Sequence, residues 1–510
     1  MLEGLMAALS PDVLLVICIG VVGGIIMGAL PGFTATMGTA LLLPFTFTME
    51  PTAALAMLGA LYVAAMFADS VPACMINTPG TPSAMATALD GFKMTLQGKG
   101  RTALVASCFS AMVGTFIGGF CFLFLSGPLA DVALTFGPPE FFWVGVFAVT
   151  IIASIAGNSM IKGIAGGAIG MLIGTVGLSK TGAESRYTFG FGELEGGVSL
   201  VAALIGVFAL PQVLDMVLRR REKEYVAEYS PRRGEALEAV KAVMTKPWHL
   251  MRSGLLGTFV GILPGAGSPV ASLLSYNEAV RWSKDRKRFG KGAIEGVTAS
   301  ETAGNAAAGG SMVPMMILGV PGSAPAAVIL GALLLQGLRP GPTLFATDST
   351  LVYSFAWAII LAGVATFAFG MVLSRGLVRM ISIPVRMLAP IILFFSVIGS
   401  FAIRNYMLDV YFMIGLGVFC YLVSKIGFHA GPIGLGLILG PIVEPALVQS
   451  LALSEASSMT DVFLGSTVSI VLIALTAFSV GWSVYQRQRD RKKDAHEVHN
   501  APSGDAGTSV

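Results

Sequence analysis

The sequence is short of charge and of histidine. Of its 510 residues only 12% are Asp, Glu, Lys or Arg, against roughly 25% in an ordinary soluble domain. A chain this poor in charge lacks the polar surface that a soluble protein of its size needs. The four histidines include His496 and His499 close to the C-terminus, which leaves too few for a histidine-based metal centre or a catalytic triad. No nucleotide-binding P-loop occurs, because Gly98-Lys99 and Gly290-Lys291 are both followed by Gly and lack the spacing. A Gly-x-Ser-x-Gly elbow is also missing. The five cysteines (Cys18, Cys74, Cys108, Cys121, Cys420) are scattered through apolar sequence without metal-ligand spacing. They read as small buried hydrophobes. No basic stretch interleaves with aromatics, so nucleic acid is not an expected partner. The N-terminus has no basic n-region, so a cleavable signal peptide is not expected. These absences argue against an enzyme and against ATP hydrolysis, and no cofactor is expected.

Apolar sequence takes the place of charge. Residues 13–30, 103–125, 141–156, 198–218, 351–373, 387–403, 407–423 and 463–484 are long runs nearly free of charge. Within hydrocarbon only helices or closed barrels satisfy their backbone, and a crossing helix needs roughly 20 apolar residues. Continuous rather than alternating runs predict an all-α polytopic membrane protein with about ten to twelve passes. Residues 486–510, charged and then small and polar, predict a disordered tail.

A duplication organises the chain. Gly28-Ala29-Leu30-Pro31-Gly32 recurs as Gly261-Ile262-Leu263-Pro264-Gly265, an offset of 233 residues. Thr78-Pro79-Gly80 recurs as Val320-Pro321-Gly322, an offset of 242. Two similar halves, each with two Pro-Gly breaks in apolar sequence, are typical of repeat-built transporters. The expected division is a first repeat over 1–218, a basic cytoplasmic linker over 219–252, a second repeat over 253–485 and the tail over 486–510.

Loop charge predicts how the repeats lie, since Lys and Arg concentrate in cytoplasmic loops. Residues 93–101, 219–252, 281–291, 375–386 and 487–493 are basic, whereas 129–140 and 446–461 contain no Lys or Arg. In the first half the basic stretch follows the two Pro-Gly motifs, and in the second it falls between them. Two inverted repeats account for this, with the N-terminus outside and the C-terminus cytoplasmic. Residues 254–280, flanked by two basic segments, then enter and leave on one side as a re-entrant hairpin. Such backbone is tolerated only beside protein or a water-filled cavity.

The breaks carry a possible chemistry. Proline lacks an N–H and Gly tolerates unusual dihedrals, so Pro-Gly ends one helix and starts another. A helix start inside the membrane presents free N–H groups and a positive dipole end, which suit a carboxylate. The candidate substrate-binding residues are Pro31, Gly32, Thr34, Asn77, Thr78, Pro79, Gly80, Thr81, Pro264, Gly265, Ser268, Pro321, Gly322 and Ser323. The competing reading makes the hydroxyls N-caps and close-packing small residues. Asp69, Lys162, Glu301 and Glu444 are the clearest ionisable groups in apolar sequence, where burial is costly. Glu301 and Asn305 share a helical face and could hold a sodium ion, or Glu301 could carry a proton, with Asp69 a further coupling candidate. A hydrogen-bonded packing network is the alternative for Glu301.

The runs GALPGFTATMGTALLLPFTF, MINTPGTPSAMATALDGF, GILPGAGSPVASLLSYNEAVRWSK, RFGKGAIEGVTASETAGNAAAGG and LGVPGSAPAAVILGALLLQGLRPGP resemble the large membrane subunit, of TctA type, of bacterial tripartite tricarboxylate transporters. The resemblance spans residues 13–485. It departs from the family at Phe67-Ala68-Asp69-Ser70, where a Tyr-Gly-Gly-Ser-like stretch is usual, and so adds a carboxylate. The resemblance implies a bacterial inner-membrane protein working with a small membrane subunit and a periplasmic solute-binding protein. It also implies uptake of a small organic carboxylate driven by sodium or protons. A solute channel lined by the Pro-Gly loops and a membrane-embedded enzyme are the rival classes.

Overall fold

A computed structural model describes residues 1–155, 159–179, 184–218, 234–380 and 385–481. Among the described residues the chain is helical apart from two-residue strands at Gly177–Leu178 and Ser185–Arg186. Seven helices among the described residues are long and apolar enough to cross a bilayer, and six shorter apolar helices accompany them. Leu15, Ile19, Phe124, Phe259 and Phe394 are exposed on the outside of the bundle, as expected where lipid rather than water is the solvent. The tail over 486–510 and linker residues 219–233 lie outside the described residues. Part of the linker is ordered: helix Glu235–Met244 is anchored by Glu235, which accepts from the N–H (3.1 Å) and hydroxyl (2.8 Å) of Thr102.

Each half begins with a helical hairpin. Pro11–Ala29 turns at Pro31-Gly32 into Ala35–Thr46, and Pro247–Ile262 turns at Pro264-Gly265 into Gly267–Trp282. The returning arms have 12 and 16 residues, about 18 and 24 Å at 1.5 Å per residue, short of the roughly 30 Å hydrocarbon core. A helix broken by the second motif follows. In the first half it comprises Pro51–Ala68, Ser70–Ile76 and Ala84–Leu96; in the second, Ile294–Leu318 and Ala324–Leu335. A long helix comes next, Gly100–Ala133 or Pro342–Met380.

Glycine stripes fix the packing. Gly20, Gly24 and Gly28 lie against the backbone carbonyls of Met57, Leu61 and Ala65; a Cβ at any of them would sit 2.4–2.5 Å from that oxygen. In the second half Gly257 and Gly261 lie against the carbonyls of Ala303 and Ala307. These pairs are related by the same offsets, 233 and 242, that relate the motifs. The sequence repeat is therefore a packing repeat.

The same contacts give helix directions. Rising numbers meet rising numbers in both stripes, so each hairpin's first arm runs parallel to the broken helix of its own half. Gly114 and Gly118 meet Thr302 and Ala306, so Gly100–Ala133 runs parallel to the broken helix of the opposite half. Reciprocally, Pro342–Met380 runs parallel to Pro51–Ala68, with Gly59 on Phe355 and Gly370 on Phe67. The two long helices are antiparallel, as Gly119–Ile360, Gly363–Thr115 and Gly370–Cys108 show. Equivalent helices of the two halves therefore point in opposite directions, and each half's long helix is exchanged onto the other.

Two of the ionisable residues singled out in apolar sequence have partners in the fold. Glu444 pairs with Arg186 of the strand Ser185–Arg186. Lys162 is partly exposed and donates to the Ile426 carbonyl at 2.5 Å. A long lysine side chain reaching a free helix-end carbonyl needs no further function.

The stripe makes a sharp prediction. Gly24→Val drives a side chain into the Leu61 carbonyl, whereas Gly23→Val, one residue away, meets nothing within 4 Å. Thermal melting of detergent-solubilised protein should show Gly23→Val close to wild type. Gly24→Val should lower Tm strongly or abolish the folded peak. Equal melting of the two variants would contradict the close parallel packing.

Candidate functional site

The first break of each half is a tight turn. Phe33 N–H donates to the Leu30 carbonyl (3.1 Å) with Gly32 at φ +80°, and Ala266 N–H donates to the Leu263 carbonyl (3.3 Å) with Gly265 at φ +76°. Pro followed by Gly suits such a turn because the Gly must adopt positive φ. At the second break Asn77 and Gly319 occupy equivalent positions with φ +55° and +69°. Thr78 N–H reaches the Pro72 carbonyl and Val320 N–H the Pro314 carbonyl, both at 3.3 Å. Asn77 is thus the left-handed end of a helix, a position Gly and Asn both tolerate, and its side chain is exposed.

The four motifs meet as two pairs, one in each half. In the second half Gly265 N–H donates to the Gly322 carbonyl (3.0 Å), and a Cβ on Gly322 would sit 2.2 Å from the Gly261 carbonyl. In the first half a Cβ on Gly80 would have the Phe33 carbonyl at 3.4 Å and the Gly28 carbonyl at 4.0 Å. The pairs differ in access. Pro321, Gly322, Ser323 and Ser268 are buried, whereas Gly32 and Asn77 are exposed and Thr78, Pro79, Gly80 and Thr81 are half-exposed. Neither Gly80 nor Thr81 N–H makes a backbone hydrogen bond among the described residues. The first-half tip is therefore open and the second-half tip closed.

The hydroxyls play mixed parts. Thr34 caps Ala35–Thr46 by accepting from Met37 N–H (3.2 Å), and it donates to Gln212 (3.2 Å). Ser323 caps Ala324–Leu335 through Ala326 N–H (3.4 Å), contacts the Tyr62 hydroxyl (3.1 Å) and donates to Ser311 (3.2 Å). Ser268 Oγ is buried without a partner. Thr81 donates to Asp69 and contacts Ser83, which in turn donates to Asp69 at 3.3 Å.

The offset of 242 pairs Thr81 with Ser323 and Asp69 with Ser311. The Thr81–Asp69 and Ser323–Ser311 hydrogen bonds are therefore one interaction made twice, with a carboxylate in one half where the other has a hydroxyl. Asp69 is buried.

Glu301 sits where the halves cross. Its Oε1 accepts from Thr87 at 2.5 Å, Thr87 also contacts Ser300 at 2.9 Å, and its Oε2 is buried without a partner. Asn305 Nδ2 donates to the Glu301 carbonyl at 3.0 Å, leaving Asn305 Oδ1 buried and unpartnered, as is Thr302 Oγ1. No ion pair joins Glu301 or Asp69 to a cation among the described residues. Asp90 shows the contrast. Equally buried, it accepts from Gly292 N–H (2.8 Å), Ala293 N–H (2.8 Å) and the Tyr276 hydroxyl (2.9 Å). Asp90 is a satisfied structural carboxylate; Glu301 keeps one buried oxygen without a partner.

The sequence profile of the tripartite tricarboxylate transporter TctA family matches residues 14–435. The chain belongs to that family. A 52.8 kDa protein in the TAR-I ttuC' 3' region of Agrobacterium vitis is 33% identical over 472 residues, covering 92% of this chain and 93% of the relative. A protein in the TAR-II ttuC' 3' region of the same organism is 35% identical over 219 residues, covering 43% of this chain and 90% of the relative. No solved structure matches. Sequence reading of this TctA chain missed Tyr62, Thr87 and Ser311. Ser311 was within reach by applying the offset of 242 to Asp69, but Tyr62 and Thr87 act on residues more than two hundred positions away.

The two Pro-Gly-flanked tips should respond unequally to substitution. Gly322→Ala should destroy the folded closed tip, because the Gly261 carbonyl cannot move without breaking its helix. Gly80→Ala meets only 3.4 Å contacts and should melt within about 1 kcal/mol of wild type. Melting curves of both variants check this, and a stable Gly322→Ala would contradict the packing.

Proposed function

We propose that this chain is the transport-path subunit of an inner-membrane carrier that imports a small organic carboxylate, delivered by a periplasmic binding protein and driven by a sodium or proton gradient. The supporting observation is Glu301, a buried carboxylate with one unpartnered oxygen on the helix face it shares with Asn305, whose amide oxygen is also buried and unpartnered, at the crossing of two oppositely directed halves. Burying such groups unpaired costs several kcal/mol, and a hard monovalent cation or a proton would offset it. Oxygen donors of this kind suit sodium. In this reading Glu301 and Asn305 hold the coupling cation, with Asp69 as a second carboxylate in the same network.

The carboxylate substrate is assigned to the Pro-Gly tips. None of the four motifs has Lys or Arg in its immediate run, so positive potential there comes from helix N-termini, each about half an elementary charge, and from the co-bound cation. Gly80 and Thr81 at the open tip have N–H groups to offer, with Gly32, Thr34, Asn77, Thr78 and Pro79 around them. At the closed tip Pro264, Gly265, Ser268, Pro321, Gly322 and Ser323 would take up the same role once the Gly265–Gly322 hydrogen bond opens. One open and one closed tip is what alternating access between inverted repeats requires. The N-terminus is placed outside and the C-terminus in the cytoplasm.

Uptake of labelled carboxylate into proteoliposomes holding the chain with its small membrane subunit, supplied with the binding protein, with and without an imposed sodium or proton gradient, tests this reading. Wild type should accumulate solute above equilibrium, which a channel cannot do. Glu301→Gln should lose accumulation while melting like wild type; unchanged accumulation would reduce Glu301 to packing. Ser323→Ala should raise the apparent KM about tenfold, the worth of one hydrogen bond to a charged group.

A further inference from the structure

At the end of the bundle that carries the Lys- and Arg-free loops 129–140 and 446–461, the structure holds a cleft of about 840 Å³. Its walls come from both halves and include Phe136, Phe141, Leu318 and Gln449. Arg339 is the one cation among its lining residues. It is exposed, and no hydrogen bond or ion pair engages it among the described residues. The loop bearing it is held in place: Gly341 N–H donates to the Met316 carbonyl at 2.9 Å, and Pro340 packs on Gly319. The cleft therefore reaches Leu318, the last residue of its helix before the Gly319-Val320-Pro321-Gly322 break of the closed tip.

We propose that this cleft is a capture site for the carboxylate, separate from the Pro-Gly tips, in which Arg339 receives the substrate's carboxylate before it passes beneath Leu318 to Pro321-Gly322. A planar guanidinium binds a carboxylate through two parallel hydrogen bonds, and a lone cation on an otherwise Lys- and Arg-poor rim raises the local anion concentration. The volume lies within the range of small-molecule sites, and the Gln449 amide supplies a further donor. Favourable placement of Arg339 beyond the C-terminal end of helix Ala324–Leu335 gives it a structural use as well, so the test must separate capture from stability. The inference rests on the carboxylate-transport reading above.

Initial rates of citrate, tartrate and succinate uptake into proteoliposomes that hold the chain with its small membrane subunit and are supplied with the binding protein, taken at several salt concentrations, provide that test for wild type, Arg339→Gln and Arg339→Lys. For whichever of these substrates wild type transports, Arg339→Gln should raise KM about tenfold with near wild-type kcat. It should also flatten the dependence of KM on ionic strength, and Arg339→Lys should recover most of both. A wild-type KM and salt dependence in Arg339→Gln would overturn the capture site while leaving the transport reading intact. A fall in kcat and Tm with KM unchanged would assign Arg339 to structure and overturn it too. Transport of none of the three by wild type would sink the carboxylate reading, and this site with it.

Discussion

A helix broken inside a bilayer leaves backbone N–H and C=O groups that hydrocarbon cannot satisfy, and the rest of this structure depends on how those groups are met. The second half meets the demand by joining its two breaks, with Gly265 N–H on the Gly322 carbonyl and Gly322 packed under Gly261. Such closeness is possible only because glycine stripes let whole helices touch backbone to backbone. Hairpin, broken helix and exchanged long helix then follow as one packing unit, built twice with opposite direction.

The departures from symmetry fall where the chemistry is. Ser311 and Ser323 form a hydroxyl pair capped by Tyr62; Asp69 and Thr81 form its carboxylate-bearing counterpart, with Asp69 buried and Thr81 half-exposed. Glu301 has no counterpart carboxylate, since the offset of 242 places it against Gly59. Two repeats of one scaffold therefore carry one hydroxyl-lined tip and one carboxylate-lined tip.

Local signals were legible in the sequence and distant ones were not. Pro31-Gly32 and Pro264-Gly265 announce turns because proline and glycine act on their own backbone, and the offsets of 233 and 242 were visible by inspection. The stripe Gly20, Gly24, Gly28 has the spacing of a close helix contact and could have been read, together with its partner Gly257, Gly261. The left-handed dihedral of Asn77, which ends its helix, is invisible without coordinates. The partners of Glu444 and Lys162, Arg186 and the Ile426 carbonyl, could not be read from sequence because they lie more than two hundred residues away. Glu301 was found because a carboxylate in an apolar run is conspicuous, but that one oxygen lacks a partner is a fact only packing could supply.

Opposed orientation of the halves is the central claim, and sidedness tests it most directly. Loops 97–99 and 290–293 already touch, with Gln97 donating to the Lys291 carbonyl at 2.7 Å. Single cysteines at Gly98 and Gly290, in a background lacking the five native cysteines, should both resist an impermeant thiol reagent added to intact cells and react after permeabilisation. Cysteines at Thr135 and Met459 should react from outside. Labelling of Gly98→Cys or Gly290→Cys in intact cells would contradict the account.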